Sequence, residues 1–131
     1  MRAVARTIDG AFALDLESEE VEPLDDDASL FALTPPAVSL PLLVAAAAEG
    51  PTVIALLDRR PPLAVSTDGG RTWREAGGGL PPGRAVAIAP GGPDLVLYGA
   101  RNRLYVSEDG GRFWRVLAAE LPEIVAVAWL P

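Results

Sequence analysis

Residues 66–73 read Ser-Thr-Asp-Gly-Gly-Arg-Thr-Trp, and residues 107–114 repeat them 41 positions later as Ser-Glu-Asp-Gly-Gly-Arg-Phe-Trp. We call each copy a turn motif. An alternating apolar run precedes each copy, so the pattern predicts a strand, a tight turn and a second strand. Glycine permits positive φ, and aspartate accepts hydrogen bonds from amides further along the turn. The motifs are therefore predicted to be structural, with these residues in that role: Ser66, Asp68, Gly70, Trp73, Ser107, Asp109, Gly111 and Trp114.

A second marker recurs with nearly the same period. Leu-Pro pairs begin at Leu40, Leu80 and Leu121, and each precedes a run of small apolar residues. Such a run is typical of a strand that is buried on both faces. One marker, four strands and one turn motif together occupy about 41 residues, which is the length of one blade of a β-propeller.

The chain divides into three such units. Residues 40–79 and 80–120 form two blades, residues 25–39 form a linker, and residues 1–24 with 123–131 form the remaining blade. The sequence therefore predicts an all-β protein with three four-stranded blades. It leaves open whether Val21–Leu24 or Leu30–Leu33 is the outer strand of the first blade.

Three blades are too few to close a ring, since propellers have four to eight. We therefore expect a homodimer with six blades, in which the C-terminal strand of one chain completes the N-terminal blade of its partner. A nine-bladed trimer and a monomeric sandwich that is not a propeller are the alternatives.

The turn motif resembles the Asp-box, or BNR repeat. The resemblance is carried by the Ser, Asp, Gly, Thr and Trp of residues 66–73 and by the second copy, where Phe113 replaces the usual threonine. The family includes sialidases, other glycosidases, sortilin-type receptors and photosystem II assembly factors. The resemblance implies a β-propeller in which the box joins the third and fourth strands of a blade, away from the ligand face.

The composition excludes several chemistries. The chain has no Cys and no His, which removes disulfides, thiol nucleophiles and the commonest general base. We expect no cofactor and no metal. All eleven basic residues are arginine, and the scarcity of thermolabile side chains suggests a thermophilic source. We find no signal peptide and no membrane-spanning run, so we expect a cytoplasmic protein without membrane contact.

Eight acidic residues and no basic ones lie in residues 15–27, and the chain carries a formal charge of −7. This balance argues against nucleic-acid binding. A calcium ion or a basic partner would suit the segment, but its spacing lacks the ligand pattern of a calcium loop. We interpret it as a solvated turn and linker.

Arginines recur in the loops between the second and third strands of the blades. In a propeller these loops share a face with the channel mouth, and guanidinium groups suit carboxylate or phosphate. The candidate anion-binding residues are Arg6, Arg60 and Arg101. The alternative is that these exposed arginines pair with Asp58, Asp94 or Glu75.

No catalytic residue can be assigned. Tyr98 and Tyr105 lie in repeat strands and are interpreted as packing residues, and no carboxylate pair can be placed at glycosidase spacing. We therefore favour a non-catalytic binding or scaffold module for an anionic ligand or a protein partner. The alternative is a small sialidase- or glycosidase-like hydrolase.

Overall fold

The computed structural model describes residues 1–25, 28–31 and 34–130. Within that part of the chain there are twelve strands, one short 3₁₀ helix at Ala28–Phe31 and no α-helix. The strands are β1 Arg2–Thr7, β2 Gly10–Asp15, β3 Val21–Leu24, β4 Leu43–Glu49, β5 Thr52–Leu57, β6 Leu63–Ser66, β7 Arg74–Ala76, β8 Ala85–Ala89, β9 Gly92–Gly99, β10 Leu104–Ser107, β11 Arg115–Val116 and β12 Ile124–Leu130.

The strands form three antiparallel sheets of four, which confirms the prediction of an all-β chain built from three four-stranded units. Sheet 1 has the order β12-β1-β2-β3, sheet 2 the order β4-β5-β6-β7, and sheet 3 the order β8-β9-β10-β11. In sheet 1 the last strand pairs with the first strand of the same chain, with Leu130 opposite Arg2. Sheet 1 is therefore complete without a strand from a second chain.

The outer strand of sheet 1 is Val21–Leu24, which pairs with β2 so that Val21 lies opposite Leu14. The other candidate, Leu30–Leu33, begins inside the 3₁₀ helix, and its last two residues lie outside the described residues. Pro23 is compatible with this position because an edge strand does not need every backbone N–H.

The turn motifs fold in the same way in sheets 2 and 3. Gly69 and Gly70 have φ of 75° and 94°, and their counterparts in the second copy have the same values. The Oδ1 atom of Asp68 accepts hydrogen bonds from the N–H groups of Arg71 and Thr72 at 3.1 and 2.9 Å. The Ser66 hydroxyl accepts one from the N–H of Gly70 at 2.8 Å. These contacts close the turn between the third and fourth strands.

The sheets pack face to face, with sheet 3 in the middle. Ile54 of sheet 2 and Tyr98 of sheet 3 belong to one buried cluster. Leu97, which points to the opposite side of β9, belongs to a second cluster with Ala3 and Ala5 of sheet 1. Among the innermost strands, β8 therefore lies beside both β4 and β12.

The two outward faces of this stack are covered by the connection between β3 and β4. Val38 and Leu40 pack against Ala55 and Leu57 on the outward face of sheet 2. On the outward face of sheet 1, the 3₁₀ helix lies against β12. The guanidinium of Arg6 lies 4.6 Å from the centre of the ring of Phe31, the last residue of this helix.

Candidate binding site

A cleft of about 490 Å³ lies between the three innermost strands. Its walls are mostly small apolar residues, from 45–48 of β4, 85–88 of β8 and 125–129 of β12, and residues 34–36 of the connection also line it. We call it the central cleft. Its volume lies in the range of pockets that hold small molecules.

Alanine dominates the walls because the innermost strands approach one another closely. Each of these strands pairs with a neighbour on one edge only, so the N–H and C=O groups of alternate residues on the other edge point into the cleft. The indole N–H of Trp129 donates to one such group, the carbonyl of Ala87, at 3.2 Å. The central cleft therefore combines apolar side chains with backbone hydrogen-bonding groups.

The rim of the cleft is formed by three equivalent residues, each four positions after a Leu-Pro leucine. Val44 and Val125 are 47% and 50% exposed, and the side chain of Arg84 is 44% exposed. The Nη2 atom of Arg84 lies 3.3 Å from Oε1 of Glu123, and Nε of Arg101 lies 3.4 Å from the same oxygen. We call Arg84, Arg101 and Glu123 the rim cluster; two guanidinium groups and one carboxylate give it one net positive charge.

The three arginines predicted to bind anions lie in different sheets with different neighbours. Arg101 belongs to the rim cluster. Arg6 lies on β1 over the ring of Phe31, and Arg60 is exposed in the connection between β5 and β6. Arg60 lines an open groove of about 670 Å³ together with residues 78–81.

Sequence reasoning missed Arg84 and Glu123. The position of Arg84 was readable, because it follows Leu80 by four residues as Val44 follows Leu40 and Val125 follows Leu121. Glu75, one of the carboxylates expected to pair with loop arginines, does so with Arg59, which precedes Arg60 and lies 3.2 Å from Glu75.

The carboxylates of the turn motifs are engaged within their turns. The Thr72 hydroxyl and backbone N–H, with the Ser66 hydroxyl, hold the pKa of Asp68 far below its usual value. Hydrogen bonds from the Phe113 N–H and the Ser107 hydroxyl lower the pKa of Asp109. Each turn motif follows the third strand of its sheet, whereas the loop with Arg101 precedes the third strand of sheet 3. The motifs therefore lie at the opposite end of the sheets from the rim cluster.

Tyr98 is a core residue. Its hydroxyl donates to the carbonyl of Pro81, and its ring makes edge contacts with Tyr105 and Trp114 at centroid distances of 6.1 and 5.7 Å. Burial, and to a lesser extent the neighbouring Tyr105, raises the pKa of Tyr98 well above its usual value.

Several side chains of the acidic segment make hydrogen bonds or ion pairs, both within the segment and with distant parts of the chain. Asp15 accepts hydrogen bonds from the N–H groups of residues 17 and 18, each at 2.9 Å, and these bonds lower its pKa. Glu19 accepts one from the N–H of Ala118 at 2.7 Å, and Glu22 pairs with Arg2 at 2.7 Å. Residues 26 and 27 lie outside the described residues. In residues 1–25, 28–31 and 34–130, no three acidic side chains form a group that could hold a metal ion.

The fold and the site define an all-β protein with three antiparallel sheets around an apolar cleft. No protein-family model, curated protein or solved structure matches the chain. The described residues contain no helix that is long and apolar enough to span a membrane.

Proposed function

We propose that this chain is a non-catalytic binding module of the β-propeller type, with the central cleft as its binding site. Support for the propeller comes from the 41-residue period and from the four-stranded unit that it marks. The way in which the sheets stack, each with one face against the opposite face of the next, is also that of propeller blades.

The ligand we propose has an anionic group and a small apolar body. The single observation that carries this proposal is that Arg84 lines the apolar cleft and belongs to a cluster with one net positive charge. The chain as a whole carries a charge of −7, so the net positive charge of the rim cluster is opposite in sign to the charge of the whole protein. Guanidinium groups bind carboxylate and phosphate through charge-assisted hydrogen bonds.

The hydrolase alternative receives no specific support from the described contacts. Asp68 and Asp109 lie at the far end of the sheets, and Glu123 is shared between two arginines at the rim. We therefore assign the rim to binding and give it no part in a reaction.

The test compares hexanoate with hexanol, an uncharged compound with the same number of carbon atoms, by titration calorimetry at low salt. Arg84→Ala and Arg101→Ala should each weaken hexanoate binding by roughly tenfold, because each removes one charge-assisted contact. Glu123→Gln should strengthen it, because that substitution removes the competing carboxylate.

Arg71→Ala is the matched control, since Arg71 is an exposed arginine in a turn motif at the opposite end of sheet 2. Hexanol binding should be equal in all four variants. Hexanoate affinities that do not change with Arg84, Arg101 or Glu123 would remove the anionic part of the proposal. If neither compound binds the parent protein, the central cleft is not a small-molecule site.

A further inference from the structure

The two outward faces of the three-sheet stack are complementary by the repeat. One hydrogen bond recurs in every sheet: the N–H of Leu16, Gly69 or Gly110 donates to the carbonyl of Met1, Pro51 or Asp94. Counting three residues on from each of these acceptors makes Val4, Ile54 and Leu97 equivalent. Ile54 and Leu97 point to the inner interfaces, whereas Val4 points to the outward face of sheet 1.

The outward face of sheet 2 is likewise the equivalent of a face that is used inside the stack. Ala55 is equivalent to Tyr98, because Ala55 follows Ile54 as Tyr98 follows Leu97. Tyr98 lies on the face of sheet 3 that packs against sheet 2. The outward face of sheet 1 is therefore equivalent to the faces that sheets 2 and 3 pack against the next sheet. The outward face of sheet 2 is equivalent to the face of sheet 3 that packs against sheet 2. A second copy of the chain carries both.

In the structure the connection between β3 and β4 takes the place of that second copy. It has eighteen residues (25–42), whereas the other two connections between sheets have eight (77–84) and seven (117–123). The additional length contains the 3₁₀ helix and the segment with Val38 and Leu40, which cover the two faces.

We propose that the length of this connection selects between two closed forms of the chain. With eighteen residues it crosses from sheet 1 to sheet 2 past sheet 3 and covers both faces, giving a monomer. When it is shortened to join neighbouring sheets only, the C-terminal strand pairs with β1 of a second copy, and the two copies form a ring of six sheets.

The exchange conserves the strand pairing. The pairing of β12 with β1 is the same in both forms, and only the chain that supplies β12 differs, as in other exchanged dimers. The two faces then bury apolar surface against each other, in place of the cover by Val38 and Leu40. This inference does not depend on the proposed ligand.

The test is a deletion of residues 30–39, which leaves eight residues between β3 and β4 and retains Leu40-Pro41. Light scattering after size exclusion should give the mass of one chain, 13.7 kDa, for the parent protein and twice its own chain mass for the deletion variant. A deletion variant that is folded and monomeric would overturn the proposal.

A cysteine pair reports the exchange directly, because the chain contains no cysteine. Arg2→Cys with Leu130→Cys places the pair on opposed residues of β1 and β12. Under non-reducing conditions the parent background should run as a monomer with an internal disulfide, and the deletion background as a covalent dimer. An internal disulfide in the deletion background, a covalent dimer in the parent background, or a deletion variant that stays unfolded at all concentrations would contradict the proposal.

Discussion

Arg74 and Arg115 lie 41 residues apart and make the same contact. Nη2 of Arg74 donates to the carbonyl of Gly110 at 2.8 Å, and Nη2 of Arg115 donates to the carbonyl of Leu16 at 3.1 Å. Each arginine therefore joins the outer strand of one sheet to the turn of the next. The repeat thus specifies the contacts between sheets as well as the sheets themselves.

Arg74→Ala should destabilise the protein by about 1.5–3 kcal/mol, the range for a hydrogen bond that involves a charged group. Arg115→Ala should cost less, because Arg115 is exposed and Arg74 is half-buried. The measurement is urea unfolding followed by tryptophan fluorescence, with the exposed Arg71→Ala as control. Equal stabilities for all three variants would show that the arginine contacts contribute nothing.

The turn motifs should make stability fall in acid. Hydrogen bonds to Asp68 and Asp109 hold their folded pKa below the ordinary value of 3.8, so their contribution is complete above that pH. It is lost as the pH falls below 3.8 towards the folded pKa. Thermal midpoints measured between pH 6 and pH 2 (roughly the range in which carboxyl groups titrate) should fall less steeply in Asp68→Asn than in the control, the exposed Asp58→Asn. Parallel curves would contradict this.

Phe113→Thr should stabilise the second turn motif. In the first copy the Thr72 hydroxyl donates to Oδ2 of Asp68 at 2.6 Å, whereas Phe113 offers Asp109 only its backbone N–H, at 3.0 Å. The Phe113 side chain is 79% exposed, so its loss costs little packing. Differential scanning calorimetry should show a higher midpoint for Phe113→Thr and a lower one for Thr72→Val. A lower midpoint for Phe113→Thr would show that its ring has a role beyond the turn.

Gly83 is required for close packing against Tyr98. A methyl group on Gly83 would lie 2.5 Å from the Tyr98 hydroxyl oxygen and 2.8 Å from Cδ1 of Leu56. Gly83→Ala should therefore destabilise by about 1–3 kcal/mol, as overpacking does elsewhere. Gly78→Ala is the matched control, since nothing lies within 4 Å of its added methyl group. Equal unfolding midpoints in urea would contradict the prediction.

Much of the fold could be predicted because two repeated signals support each other. A turn motif alone, or one Leu-Pro pair, is a weak signal, but both recur with almost the same period. The sequence did not decide the outer strand of sheet 1, for a physical reason. Val21–Leu24 is an exposed edge strand without a pattern of alternating buried residues, and the competing segment that begins with Leu30 and Phe31 is more apolar than this strand.

The candidate site was harder to predict because its members meet only in the folded chain. Arg101 comes from the loop between β9 and β10, Glu123 from the connection to β12, and Arg84 from the connection to β8. Nothing local in the sequence indicates that one carboxylate lies between these two arginines. The packing of Val38 and Leu40 on sheet 2 was equally hard to predict, since the composition of a linker does not indicate which face it packs against.

The most direct test of the binding proposal is a map of amide chemical shifts during a hexanoate titration of the parent protein. The largest changes should occur at Val44, Arg84 and Val125, at the rim of the central cleft. No saturable change should occur in the turn motifs. Saturable changes confined to residues 66–73 and 107–114, or none anywhere, would contradict the assignment of the cleft as the binding site.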